Sequence, residues 1–317
     1  MPSLLVDVGL LPLADLPYDE QLARREELVR DALRRGHVAT EIGTIVPSPR
    51  TTGARARVKL RVGPGGALGF NRPGTHTFVE VPLDELARPE VVEAAAALRG
   101  QLRNGEVEVR SDGEKVAIVL DVPPPGPIEG NVFAKGKVLS GHPRLRVLGL
   151  SVSPASFYQV NLEINERIVA DVDAALQELA PTHLLDLYAG VGNLSARAIA
   201  RGVPATLVEQ DRSSAADAAY NLPTAEILTQ DAGKWVPGRR FFDVALLDPP
   251  RAGAQGLLQK LVVTRPRAIL YLSCDPVTLA RDLRTVAGKG YSVARVQPYD
   301  MFPGTDHVES LAVLLRS

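Results

Sequence analysis

From about Gly149 onward, four apolar runs punctuate the chain: LLDLYAGVGN, LVEQD, VALLDPPR and ILYLSC. Each ends in acids, glycines or a cysteine, and helical stretches such as LSARAIARG and TLARDLRTVAGKG follow or separate them. A strand that is apolar on both faces must be covered on both faces, so this alternation predicts an α/β fold with a parallel, doubly wound sheet. Ligands of such sheets bind outside the carboxyl ends of the strands. The four chemically loaded ends should therefore meet in one crevice.

The last of them holds the only cysteine of the 317 residues. Ile269 to Leu272 reads as a buried strand, and Asp275 and Pro276 give a helix start, an acidic N-cap followed by proline at the first helical position. Cys274 is thus expected between a strand end and a helix N-terminus, whose free N–H groups favour thiolate. Against this stands the reading of a small buried hydrophobe, the commonest fate of a free cysteine.

The other strand ends add a ligand site. Asp186, Gly190 and Gly192 occupy a strand-to-helix turn whose glycines let backbone approach a ligand, although a tight turn without ligand fits the same letters. A dinucleotide fingerprint wants glycine at position 195, where the chain has Ser195. Glu209 ends the next strand, where a carboxylate can accept both hydroxyls of a ribose; alone, such a residue is more often a surface residue. No GKS or GKT sequence accompanies it, which favours a nucleoside without a phosphate chain, a description that fits S-adenosylmethionine. Asp248 precedes Pro249 and Pro250, a rigid turn that can present a carboxylate to a planar base edge or serve structure alone. Glu309 begins a final apolar strand and becomes a general base if desolvation raises its pKa, while His307 is as readily structural as catalytic.

The first half is different in texture. Tyr18 to Arg35 predicts an amphipathic helix with Leu22, Val29 and Leu33 on one face, Gly36 as its stop, and its arginines on a solvated face. Short β-like runs follow from Val38 to Leu148. In Ala54 to Val62, period-two alternation sends Arg55, Arg57, Lys59 and Arg61 to one face. These four cations make either a phosphate-binding stripe or an edge strand protected by charge. With a net charge of -1 there is no global attraction to nucleic acid, so any such surface is local. One cysteine excludes an internal disulfide and an all-cysteine metal site. The chain lacks an eighteen-residue apolar run, and its N-terminus carries acids rather than a basic leader, so a soluble, cytoplasmic protein without membrane contact is expected.

Taken in order, SFYQVN (Ser156 to Asn161), DLYAGVGN, VEQD, LDPPRAG, YLSCDPVTLARDL and DMFPGTDHVE resemble the S-adenosylmethionine-dependent RNA uridine-5-methyltransferases. These make 5-methyluridine in tRNA or rRNA. The resemblance spans residues 150 to 317 and implies a Rossmann-like class I methyltransferase domain with a smaller α+β central domain. It implies that Cys274 is the nucleophile and Glu309 the proton-abstracting base. Gln159, Tyr188, Gly190, Asn193, Glu209 and Asp248 would line the cofactor and uracil crevice, with Asp231 toward the adenine end and Arg251 toward RNA. Many members hold an iron–sulfur cluster on four cysteines; DVGLLPLADL stands where three of them would be, so no cluster is expected here. An extra RNA-binding β-barrel, where members have one, would precede residue 1.

The expected layout is an N-terminal helical segment over residues 1–36 packing on the catalytic domain, a central RNA-binding domain over 37–148, and the catalytic domain over 149–317. A 5-methylcytosine enzyme would need a second cysteine after the third strand, where DPPR stands. From another class, the chain could be an RNA-binding or RNA-folding protein with a silent methyltransferase domain, which a turnover assay separates.

Overall fold

The computed structural model describes residues 3–236 and 242–316. A short helix α1 (Leu4–Asp7) precedes the long α2 (Tyr18–Arg35), and β1 (Glu41–Ile42) follows. The next stretch builds a seven-stranded sheet from β2 (Arg57–Val62), β3 (Leu68–Asn71), β4 (Phe78–Val79), β5 (Glu106–Ser111), β6 (Val116–Leu120), β7 (Val132–Ala134) and β8 (Lys137–Ser140), in the order β4-β3-β2-β5-β6-β7-β8. Helix α3 (Pro89–Leu98) covers it, burying Val91, Ala95 and Leu98 against Val107, Val109 and Leu60. A two-stranded ribbon, β9 (Leu145–Val147) with β10 (Leu150–Val152), leads to the second half.

There the chain alternates as the apolar runs require. Helix α4 (Leu162–Leu179) precedes β11 (Leu184–Leu187), α5 (Ala196–Ala200), β12 (Ala205–Glu209), α6 (Arg212–Asn221), β13 (Glu226–Thr229), β14 (Val244–Leu247), α7 (Gln255–Thr264), β15 (Ala268–Ser273), α8 (Pro276–Ala287), β16 (Tyr291–Tyr299) and β17 (Glu309–Arg316). The sheet order is β1-β16-β17-β15-β14-β11-β12-β13. Strands β11 to β15 pair in parallel, and β17 enters antiparallel between β15 and β16. Successive residues serve opposite faces: Leu185 and Leu187 join the core under α2, α7 and α8, whereas Leu184 joins the core under α4 and α5. Strand order reverses between β11 and β14, which opens a crevice at their carboxyl ends.

Three features depart from the sequence reading. Strand β1 pairs with β16, and Val46 bridges to Tyr299, so residues 41–46 run with the eight-stranded sheet rather than with the central one. The arginines of α2 are not all solvated: Arg25 is fully buried, 3.0 Å from Asp300. Removing one partner of such a pair strands the other charge, at a cost of about 3–5 kcal/mol. Finally, β2 lies inside its sheet between β3 and β5, which removes the edge-strand explanation for its cations. Among the described residues, no helix is long and apolar enough to cross a membrane.

Candidate active site

Strands β15 and β17 bring the proposed nucleophile and base together. Their antiparallel register ends at Ser273 opposite Ser310, and the next step of that register sets Cys274 against Glu309. Cys274 is partly buried, and Asp275 caps α8 by accepting the Thr278 N–H at 2.7 Å. Glu309 is 4% exposed and its Oε2 has no hydrogen-bond partner among the described residues. Burial first, then the negative charge of Asp248, raises its pKa to about 8, with Arg251 opposing. That is the raised carboxyl expected of a base working near neutrality.

Cys274 corrects its expectation. Burial pushes the thiol up to about 11, Glu309 and Asp248 push the same way, and only Arg251 and the backbone oppose them. The helix start fails to reverse this because an anion, Asp275, already sits on it and occupies one of its N–H groups.

Both groups line a cleft of about 620 Å³ together with Gln159, Tyr188, Gly190, Asn193, Glu209, Asp248 and Arg251, all singled out from the sequence. Glu209 is fixed by two backbone donors, Gly190 N–H at 2.9 Å and Asp211 N–H at 2.7 Å. Asn193 exchanges amide hydrogen bonds with Asn165 at 2.8 and 3.2 Å. Tyr188 adopts φ +62°, a left-handed conformation rare for an aromatic residue and characteristic of strained functional turns. Gly192 combines φ +87° with a Cβ direction that runs into Leu222, so only glycine fits.

Asp231 stands apart from that wall. It caps a short 3-10 turn through the Gly233 N–H at 2.8 Å and reaches the cleft only electrostatically, by raising the Tyr188 pKa together with burial. The basic strand lies on the seven-stranded sheet. Arg57, Lys59 and Arg61 face outward as the alternation required, whereas Arg55, expected on the same strand face, precedes β2, and burial lowers its pKa to about 10. Glu106 and Glu108 of β5 sit opposite the three: Arg57 meets Glu108 at 2.8 Å and Lys59 meets Glu106 at 2.5 Å. Arg61 lies 3.7 Å from Glu106. Arg57 also stacks 4.4 Å over the ring of Phe157, a cleft residue with 52% exposure, and Arg55 acts electrostatically on His307. The stripe therefore starts at the cleft mouth and carries much less net charge than four cations.

Several groups on the wall were not chosen from the sequence as ligand contacts: Phe157, Asp186, Phe302 and His307. Asp186 is 1% exposed and its Oδ2 has no hydrogen-bond partner among the described residues; burial raises it to about 7, with the negative charges of Asp248 and Glu209 adding to the rise and nearby Ser195 opposing it. Its place at the end of an apolar strand was the available signal. His307 Nε2 lies 3.2 Å from Arg251 Nη2, so the histidine accepts and is neutral there; burial and Arg251 lower its pKa.

Comparison with known proteins accords with this arrangement. A family model described as tRNA (Uracil-5-)-methyltransferase matches residues 239–317. The chain is 32% identical over 302 residues to the 23S rRNA (uracil(1939)-C(5))-methyltransferase RlmD of Salmonella choleraesuis strain SC-B67, spanning 83% of this chain and 70% of that protein. The chain belongs to the RNA (uracil-5-)-methyltransferase family. RlmD of Cronobacter sakazakii is 29% identical, over 87% of this chain and 73% of its own length. The fold of this family member superposes on the Pyrococcus abyssi tRNA (uracil-54, C5)-methyltransferase, solved with S-adenosyl-L-homocysteine, with a TM-score of 0.76 at 23% identity over 96% of this chain and 85% of that one. That likeness covers the Rossmann-like class I half and the smaller central sheet alike.

The cleft also fits the methyl donor of this family, S-adenosylmethionine. The unpartnered carboxylate oxygen of Asp186 and the cluster of Glu209, Asp211 and Asp248 suit a ligand that carries positive charge and ribose hydroxyls.

Proposed function

We propose that this enzyme methylates carbon 5 of a uridine in structured rRNA or tRNA through a covalent bond between Cys274 and the base. The observation that carries the reading is the meeting of Cys274 and Glu309 across β15 and β17 in the same cleft as Glu209, Asp248 and Gln159. Glu209, Asp186 and the Gly190 turn would hold S-adenosylmethionine, with Asp231, outside the cleft wall, toward its adenine end, and the bound donor would supply a methyl group on a positively charged sulfur for carbon 5 to take up.

Carbon 5 of uracil is a weak nucleophile on its own. The Cys274 thiol passes its proton to solvent in the open cleft and its sulfur bonds to carbon 6, which places the displaced electron pair on carbon 5 and the carbonyl oxygen. Gln159 and the Asp248 turn hold the ring's polar edge while that charge develops. Asp248, raised to about 7 by burial, can serve as a donor as well as an acceptor near neutrality. After methylation, carbon 5 bears a hydrogen and a methyl group. Glu309 removes the hydrogen, the electron pair re-forms the ring double bond, and sulfur leaves carbon 6.

A uridine stacked in a stem or loop must swing out to reach this cleft, at a few kcal/mol. The exposed Phe157 ring, backed by the Arg57 guanidinium, offers a stacking surface at the mouth, and the central sheet supplies phosphate contacts through Arg55, Arg57, Lys59 and Arg61. Arg251, which lines the cleft and lowers the thiol's pKa, would meet the RNA backbone.

The test is methylation of deproteinised rRNA and tRNA with a radiolabelled methyl donor, followed by nucleoside analysis. Wild-type protein should yield 5-methyluridine, and Cys274→Ala should yield none while still binding S-adenosylmethionine. Full turnover in Cys274→Ala would end the covalent reading, and absence of 5-methyluridine with every RNA would leave an RNA-binding protein.

A further inference from the structure

The loop between β16 and β17, residues 300–308, brings Phe302 and His307 to the cleft and runs directly into Glu309. Its own backbone bonds are few: Met301 N–H to the Tyr299 carbonyl, and Thr305 N–H to the Phe302 carbonyl. From outside, Leu13 N–H donates to the Gly304 carbonyl at 2.8 Å, Asp300 N–H donates to the Val46 carbonyl at 3.0 Å, and the side-chain contacts come chiefly from α2. Arg25 places Nη2 3.0 Å from Asp300 Oδ2 at the start of the loop and donates through Nη1 to the Thr305 carbonyl at 2.8 Å in its middle. Tyr18 donates to the same Asp300 oxygen at 2.6 Å and accepts from the Ser48 N–H at 2.8 Å. Gln21 accepts from the Gly304 N–H at 3.0 Å.

Tyr18, Gln21 and Arg25 are three and four residues apart and share one face of α2. The helix packs its apolar residues Val29 and Leu33 on the catalytic core further along, so this polar face is available for the loop. A guanidinium is a planar fork that can bind two acceptors at a fixed separation, which one ammonium cannot reproduce. Arg25 uses it to fix the spacing between Asp300 and Thr305, and with it the path by which the chain enters β17. Cys274 stands at the end of β15, next to Glu309 in the strand register, and among the described residues no hydrogen bond or ion pair joins it to Tyr18, Gln21 or Arg25.

We propose that Arg25 of the N-terminal helix is a positioning residue for the final proton removal: it holds the 300–308 loop so that Glu309 faces the carbon-5 hydrogen of the adduct. The inference rests on Glu309 being the base. It separates two halves of the reaction, because loosening the loop slows release of the product while leaving attack by Cys274 intact. A purely structural role would depress every step together.

The experiment compares wild type, Arg25→Met, Tyr18→Phe and Glu309→Gln, using substrate RNA and a radiolabelled methyl donor. Covalent RNA–protein adducts carrying label are counted on a denaturing gel against turnover and KM. Glu309→Gln should trap labelled adduct. Arg25→Met should lower kcat tenfold or more with KM within about threefold of wild type, and should also accumulate labelled adduct; Tyr18→Phe, a gentler change that keeps the ring, should do so to a smaller extent. Adduct in Glu309→Gln but no excess over wild type in whichever of Arg25→Met and Tyr18→Phe folds would overturn the positioning role. No labelled adduct even in Glu309→Gln would remove the base assignment and the inference with it.

Discussion

Replacing Asp186 by asparagine should stabilise the ligand-free enzyme, and more so as pH rises. In the fold this carboxyl titrates near 7 rather than 3.8, chiefly because it is buried, with Asp248 and Glu209 adding negative charge nearby. A carboxyl raised in the fold contributes stability that is fully present below its open-chain pKa and lost as pH climbs to the folded value. The loss is about 1.4 kcal/mol per pH step between the two. Between pH 5 and pH 8 wild type should therefore lose roughly 3 kcal/mol through this one group, an upper figure because its neighbours titrate with it. Asparagine is uncharged throughout and loses none. For a chain of this size roughly 1–2 °C of Tm accompanies each kcal/mol, so the advantage of Asp186→Asn should grow by about 4 °C between the two pH values. Thermal melts of both proteins without ligand, at pH 5 and pH 8, measure it directly. A difference in Tm that is independent of pH, or a mutant less stable than wild type at pH 8, would show that Asp186 is not the desolvated acid described here. S-adenosylmethionine affinity should fall in the same variant, because the oxygen without a partner in the free fold is the one offered to the ligand.

In the free enzyme both Glu309 and Cys274 must lose protons, at about 8 and about 11, so kcat/KM should climb from pH 6 to pH 8; a flat profile over that range would refute the assignment. Because Arg251 is the cation that lowers both groups, Arg251→Met should move the rise to higher pH, and an unmoved profile would count against its influence. Reversing Arg55, Arg57 and Arg61 to glutamate should weaken RNA binding and flatten its salt dependence, whereas Glu106→Gln with Glu108→Gln should strengthen binding and steepen it; equal slopes in titrations at several salt concentrations would return these strands to a structural role. Gly192→Ala combines left-handed backbone strain with a collision against Leu222, so it should cost about 1–3 kcal/mol in chemical denaturation and weaken S-adenosylmethionine binding.

The proposed catalytic pair was legible as a pair because both residues sit at strand termini. Buried apolar runs announce such ends, and the residues beside them, DP after Cys274 and DH before Glu309, complete recognisable turns. Whatever depends on register or on distant neighbours was not legible. Alternation placed Arg57, Lys59 and Arg61 on one face correctly, yet nothing local tells that β5 would set Glu106 and Glu108 against them. The periodicity of α2 located its apolar side, but Arg25 is buried against Asp300, which comes from the other end of the chain. The thiol was misjudged for the same reason. The helix start that favours thiolate is adjacent in sequence, whereas Glu309 and Asp248, which oppose it, arrive from other strands.

Strand β17 slots between β15 and β16 after both have been made. The carboxylate that faces the sulfur is therefore carried by the last strand of the chain, and the Cys274–Glu309 pairing exists only once residues 309–316 have paired with both neighbours.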